Sequence, residues 1–284
     1  MRTRSRLIAY VCLVIVSICT AEAQARPLDD ITESGYIRIA VYQDFPPFSS
    51  VRDGHLVGVD IDLANAIADH LGVRLEVMPI TAGEKVDDDL RNAVWRGHLI
   101  DRTIADLMLH VPIDRQFAAR NKLVSFFAPY ARKRFVVATN EDLAFDPRNL
   151  TSLQNERIGV ELDTMPDFFL SSAFGGQLRN AVVRFKTVSA ATQAFLNGDV
   201  SVLMATRSEI ESALGPAREG IRLAPMHMAG FGKSSWVIGV AVDENSRDVG
   251  YAVEDIVAAL MQSGSLERIF ANHGLSYEPP AEPE

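Results

Sequence analysis

The sequence predicts an α/β protein in two lobes. Three observations carry that expectation: a βαβ unit within residues 37–78, a second run of alternating strands and helices from Arg157 to Leu214, and two apolar strands, near 135 and 238, placed to cross between them. The first unit is the clearest. Asp60 to Gly72 reads as one amphipathic helix, with Ala64, Ile67, Ala68 and Leu71 on its apolar face. Asp60 is read as capping its first turn, Asp62 as favoured by the helix dipole, and Gly72 as the left-handed stop. Strands flank it at Ile37–Val41 and Arg74–Met78, and an aromatic, proline-rich loop, Asp44 to Ser50, follows the first strand. Open α/β sheets hold their ligands at that edge.

The opening residues read as an address. Arg2, Arg4 and Arg6 precede an almost unbroken apolar run from Leu7 to Cys19, and Ala21, Ala23 and Ala25 offer small-x-small cleavage sites. That is the pattern of a secretory signal peptide, assigned to residues 1–23. The run is shorter than the roughly 20 residues a spanning helix needs. Cys12 and Cys19 leave with it, so the exported chain is expected to carry no disulfide, thiolate metal site or cysteine nucleophile. A net charge of −9 over 284 residues argues against nucleic acid and anionic membrane as partners.

Further along, Leu90, Ala93 and Val94 mark a short helix that Gly97 ends. Asp87, Asp88 and Asp89 suit the start of that helix better than a metal, because adjacent helical residues diverge. Ala105–Leu109 reads as a short buried strand, after which His110, Asp114, Arg115 and Arg120 fall at the expected ligand edge. A basic patch, Arg132 to Arg134, precedes the apolar strand Phe135–Ala138. In the second half, strands are expected at Arg157–Glu161, Val182–Phe185 and Val200–Met204, and helices at Thr164–Ala173, Ala190–Asn197 and Ser208–Leu214. Trp236–Val242 is the return strand, Val249 to Leu260 the face of a long helix, and Leu266–Asn272 a last short one.

The order of these segments resembles the extracellular solute-binding proteins of family 3, the polar-amino-acid type that serves ABC transporters. The matching pieces span the chain after the signal peptide: FPPFSS with GHLVGVDIDLANAIADHLGV, then ADLML, Arg120 and FFAPY, then RIGVELDT, FLNGDVSVLM, WVIGVAV and SGSLERIFANHG. The resemblance implies a two-lobed periplasmic-binding-protein (Venus-flytrap, class II) fold with two hinge strands. Lobe 1 would comprise 28–134 plus 239–284, lobe 2 139–232, and the hinge strands would lie near 135–138 and 235–238. Closure about that hinge would trap the ligand.

Site residues carried over by the resemblance are Phe45, packing on the ligand with Phe48 beside it at the cleft mouth, and Arg120, gripping a carboxylate, with Arg115 as its competitor. Other positions depart from the family pattern. His110 and Pro112 stand where small hydroxyl residues are usual, and Asp163 and Thr164 stand in the usual Gly-Thr-Thr loop. Thr206 falls where an Asp pairs with the ligand ammonium, and an unpaired ammonium in a closed cleft costs several kcal/mol. The departures concentrate in the cleft, so the expected ligand is a small polar molecule other than a standard amino acid.

The leading expectation is therefore a monomeric periplasmic binding protein that works with the membrane permease of an ABC transporter, without cofactor, metal or catalytic residues. The alternative is a non-transport accessory protein for a periplasmic quinoprotein dehydrogenase or its cytochrome. Less favoured are a dehydratase-like enzyme, in which His110 and Asp163 would form an acid–base pair, and a sensor.

Overall fold

The structure is a computed structural model describing residues 25–98, 102–147, 149–228, 230 and 232–280. The signal-peptide reading of residues 1–23, with both cysteines, lies outside them. Helix α1 (Leu28–Ser34) leads into β1 (Tyr36–Tyr42). A hairpin of β2 (Ser50–Arg52) and β3 (His55–Val57) follows, and helix α2 (Val59–Leu71) returns the chain to β4 (Arg74–Ile80). β1 and β4 pair in parallel from Tyr36 with Arg74 to Tyr42 with Ile80. Helix α2 buries Leu63, Ala64, Ile67 and Ala68, and stops at Gly72 with φ 69°. Its start differs from expectation. Gly58, at φ 139°, holds the cap position, and Asp60 lies fully buried in the first turn with its carboxylate used elsewhere.

Next come α3 (Val86–Leu90), continued by one π-helical turn (Arg91–Trp95), then β5 (Leu107–Pro112), α4 (Arg115–Arg120) and β6 (Val124–Asn140). Each of the three adjacent aspartates has a protein partner. Asp87 pairs with Arg120, Asp88 with Arg91, and buried Asp89 accepts from the Tyr42 hydroxyl and the Gly83 N–H. β5 runs beyond the expected strand, so His110 sits within it rather than in the following loop. It does so at φ 64°, next to the register shift between β5 and β11.

Lobe 2 is built from β7 (Ile158–Glu161), α5 (Met165–Ser172), β8 (Val182–Phe185), α6 (Val188–Leu196), β9 (Val202–Thr206), α7 (Arg207–Leu214) and β10 (Ile221–Pro225). The chain returns through β11 (Ser235–Asp243) and ends in α8 (Arg247–Gln262) and α9 (Ser265–Asn272).

The strand order is β4-β1-β5-β11-β6-β9-β7-β8, with β10 on the far half of β6. β6 is the common thread. From Val124 to Arg134 it pairs antiparallel with β11, and from Phe135 to Thr139 with β9. The sheet thus passes from one lobe to the other at Arg134 and Phe135, opposite Ser235. Trp236 at this crossing packs against the cores of both lobes.

A third segment also touches both sides. After α9, the Tyr277 hydroxyl donates to Tyr130 O at 2.9 Å, and Glu278 receives both Arg134 (2.5 Å) and Arg207 (3.0 Å). Ser276 donates its N–H and hydroxyl to Glu211 of α7, at 2.7 and 2.8 Å.

Candidate functional site

Two cavities meet between the lobes at Phe45, Lys133 and Trp236. One, of 490 Å³, runs along lobe 1 past Tyr42, Asp89 and His110. The other, of 280 Å³, is walled by lobe 2 through Glu161, Thr164, Thr206 and Glu209. A wider opening of 1240 Å³ also reaches Trp236 and is flanked by Asp87, Asp114, Arg120 and Lys233.

Lobe 1 contributes a buried polar chain. The Asp60 carboxylate accepts from the Tyr130 hydroxyl at 2.9 Å and pairs with His110 Nδ1 at 3.0 Å. The His110 N–H donates in turn to the Tyr130 oxygen at 3.1 Å. A carboxylate only accepts, which assigns the imidazole proton to Nδ1 and leaves Nε2 as an acceptor. Lys133 Nζ lies 3.3 Å from that Nε2. Lys133 Nζ also sits 4.5 Å from the ring centres of both Phe45 and Phe48, a cation held by two aromatic faces. The His110 ring meets the same two phenylalanines edge-on, at 4.8 and 4.2 Å.

Local sequence explains the arrangement. The Val59 and Asp60 N–H groups donate to Pro47 O and Phe48 O, so the start of α2 fixes the aromatic loop and presents Asp60 beneath it. Ala131, Lys133 and Phe135 share one buried side of β6, which places the lysine among apolar neighbours. Burial pushes the Lys133 amine below its ordinary value, although Glu209 and Asp60 oppose the shift. Burial also lowers His110, aided by the Lys133 charge and opposed by Asp60. Burial and the neighbouring Asp60 raise the Tyr130 hydroxyl well above the usual tyrosine value.

Lobe 2 answers with carboxylates. Thr206 caps α7, and both its N–H and its hydroxyl go to Glu209, three residues on. Glu209 thus stands on the lobe 2 wall one helical turn after Thr206. Glu161 accepts from the Val188 N–H at 3.2 Å, and burial, followed by the charge of Glu209, raises its carboxyl. The Thr164 hydroxyl donates to Glu161 O at 2.6 Å.

Of the residues picked from sequence, Phe45, His110, Thr164 and Thr206 line the two cavities. Phe48 is 1 % exposed and lies behind Phe45 against Lys133, in the core rather than at the mouth. Arg120 is 58 % exposed, pairs with Asp87 at 2.9 Å and borders only the wider opening. Arg115 is exposed and lines none of these three spaces. Asp163 is likewise exposed, at φ 61°, with its N–H donating to Asp167. Sequence reasoning missed Asp60, Tyr130, Lys133, Glu161, Glu209 and Trp236 as site residues. Two signals could have found some of them. Thr206-x-x-Glu209 has capping-box spacing, and Lys133 falls in the apolar register of β6. Among the described residues no group of three or more His, Cys, Asp or Glu is placed to hold a metal.

Two lobes, two shared strands and a cleft walled from both sides define the two-lobed type-II periplasmic-binding-protein fold. Solved solute-binding proteins share this fold. Residues 37–94 match the sequence profile of the bacterial extracellular solute-binding proteins, family 3. The L-cystine-binding protein TcyJ of Escherichia coli is 22% identical over 246 residues, covering 85% of this chain and 84% of that one. A cyclohexadienyl dehydratase of Pseudomonas aeruginosa is 39% identical over 72 residues, which is 25% of this chain and only 27% of that enzyme. Among solved structures, an ancestral cationic amino acid solute-binding protein superposes with a TM-score of 0.66 at 19% identity, covering 87% of this chain and 99% of that one. An arginine-bound amino acid ABC transporter substrate-binding protein from Streptococcus pneumoniae gives 0.58 at 21% identity, covering 89% and 99%.

Proposed function

We propose that the protein captures one small polar solute between its lobes and delivers it to the membrane permease of an ABC importer. The carrying observation is that both lobes wall the cavities meeting at Phe45, Lys133 and Trp236, on the strands that join them. A space of this kind changes shape with the hinge, so a bound solute stabilises the closed form by its differential contacts. The solute is not an ordinary α-amino acid gripped by Arg120, because that guanidinium is engaged by Asp87 outside the two cavities. Native mass spectrometry of gently purified protein tests this reading. A small mass lost on denaturation is expected. An empty protein would sink the reading, and a co-purifying periplasmic dehydrogenase would replace it with an accessory role.

A second reading, a dehydratase on the same cleft, draws on the 72-residue similarity and on the Asp60–His110–Lys133 chain, which could move a proton. Incubation with prephenate decides it: aromatic product would carry the enzyme reading, and none would end it.

A further inference from the structure

Lys133 is a buried amine that no carboxylate of the described residues meets directly. It is 6 % exposed, and its one hydrogen bond among the described residues is to a neutral imidazole nitrogen. No carboxylate of the described residues forms an ion pair with it. Asp60 already holds two donors and Glu209 is turned onto its own helix cap, so both act on the amine only from a distance. An ammonium has three donors, so the imidazole leaves two of them to the aromatic faces and the cavities. A desolvated charge left in that state is costly unless something completes it. Lys133 lines both cavities, so an incoming group can reach it.

We propose that Lys133 anchors a carboxylate of the solute, in place of an arginine on α4. This rests on the solute-binding reading and names the chemistry of that same site. The solute is then a small carboxylate whose other end donates hydrogen bonds to Glu161 and Glu209 across the cleft. Its body lies between Phe45 and Trp236, which suits a flat or apolar middle. The anion sits at the hinge strand and the donor end at lobe 2.

The test uses the full exported chain and calorimetry with arginine, glutamate, succinate and benzoate, each beside its amide, together with identification of any molecule the purified protein carries. At least one acid should bind, and its amide should bind roughly 30- to 100-fold more weakly, the value of a charged hydrogen bond. Lys133→Met should abolish binding of that acid, Lys133→Arg should retain part of it, and Arg120→Gln should leave it unchanged. Lys133→Met should also melt at or above the wild-type temperature without ligand, because a methionine needs no counter-ion; a purely structural lysine would give a lower melting point. Should Lys133→Met fail to fold, the acid–amide comparison on wild type still decides. Equal binding of acid and amide, a carried molecule with no acidic group, or binding that survives Lys133→Met overturns the inference and leaves solute binding standing. No carried molecule and no bound acid overturns both.

Discussion

His110 holds a backbone conformation that few side chains adopt, at φ 64°, inside a strand and buried. Such a position stores strain of about 1–3 kcal/mol, which its surroundings must offset. The groups facing it are Asp60 from α2, Tyr130 and Lys133 from β6, the rings of Phe45 and Phe48, and the more distant charge of Glu209 from α7. Its folded value lies below the usual 6.5. Between those two values the unfolded chain binds more protons than the folded one, so stability rises with pH there and falls as pH drops through 6.5. Thermal melts of the ligand-free protein should rise from pH 5 to pH 8, and His110→Asn should flatten that segment. Asparagine tolerates the left-handed backbone, so the variant isolates the titration. An unchanged slope would remove His110 as its source. Arg120 offers a contrast at the same scale. Its pair with Asp87 is solvent-exposed, so Arg120→Ala should cost no more than about 1 kcal/mol in a denaturant melt and leave solute affinity intact.

Among the elements, the junction between β3 and α2 does most to shape the cleft. A Cβ on Gly58 would stand 2.2 Å from Phe48 O, at a φ that side chains avoid. Gly58→Ala should therefore destabilise by roughly 3 kcal/mol and also weaken solute binding, since Phe48 and Asp60 hang from that turn. Denaturant melts and calorimetry on one sample check both effects. The junction also marks where sequence reading stopped. The face of α2, its Gly72 stop and the alternation in lobe 2 were legible because period and punctuation are local properties. Asp60 was read as a cap because carboxylates favour first turns. Its actual partners, Tyr130 and His110, lie 70 and 50 residues away, beyond any periodic signal. β10 and the earlier half of β6 were missed because each is defined by pairing with a distant strand rather than by its own pattern. The sequence reading placed Thr206, which carries no charge, at the family's Asp position and overlooked Glu209, whose carboxylate the capping box brings to the lobe 2 wall.

For the whole molecule, β6 and β11 fix where the lobes meet, and the segment from Ser276 to Glu278 adds a third tie from β6 to α7. Glu278→Ala should loosen it without touching the cavities named above. In a chain expressed without residues 1–23, and so without Cys12 and Cys19, spin labels on Asp69→Cys in lobe 1 and Asp199→Cys in lobe 2, both exposed, would report on the two lobes alone. Pulsed dipolar spectra should show narrow distance peaks in the parent and a broad distribution in Glu278→Ala; identical distributions would assign the tie no mechanical role. Two strands by themselves permit both bending and twisting. A third attachment from β6 to α7 would resist the twist and leave one preferred rotation. Thermal fluctuations of the empty protein would then be channelled along a single path, and the entropy lost when a solute arrests that swing would be correspondingly small.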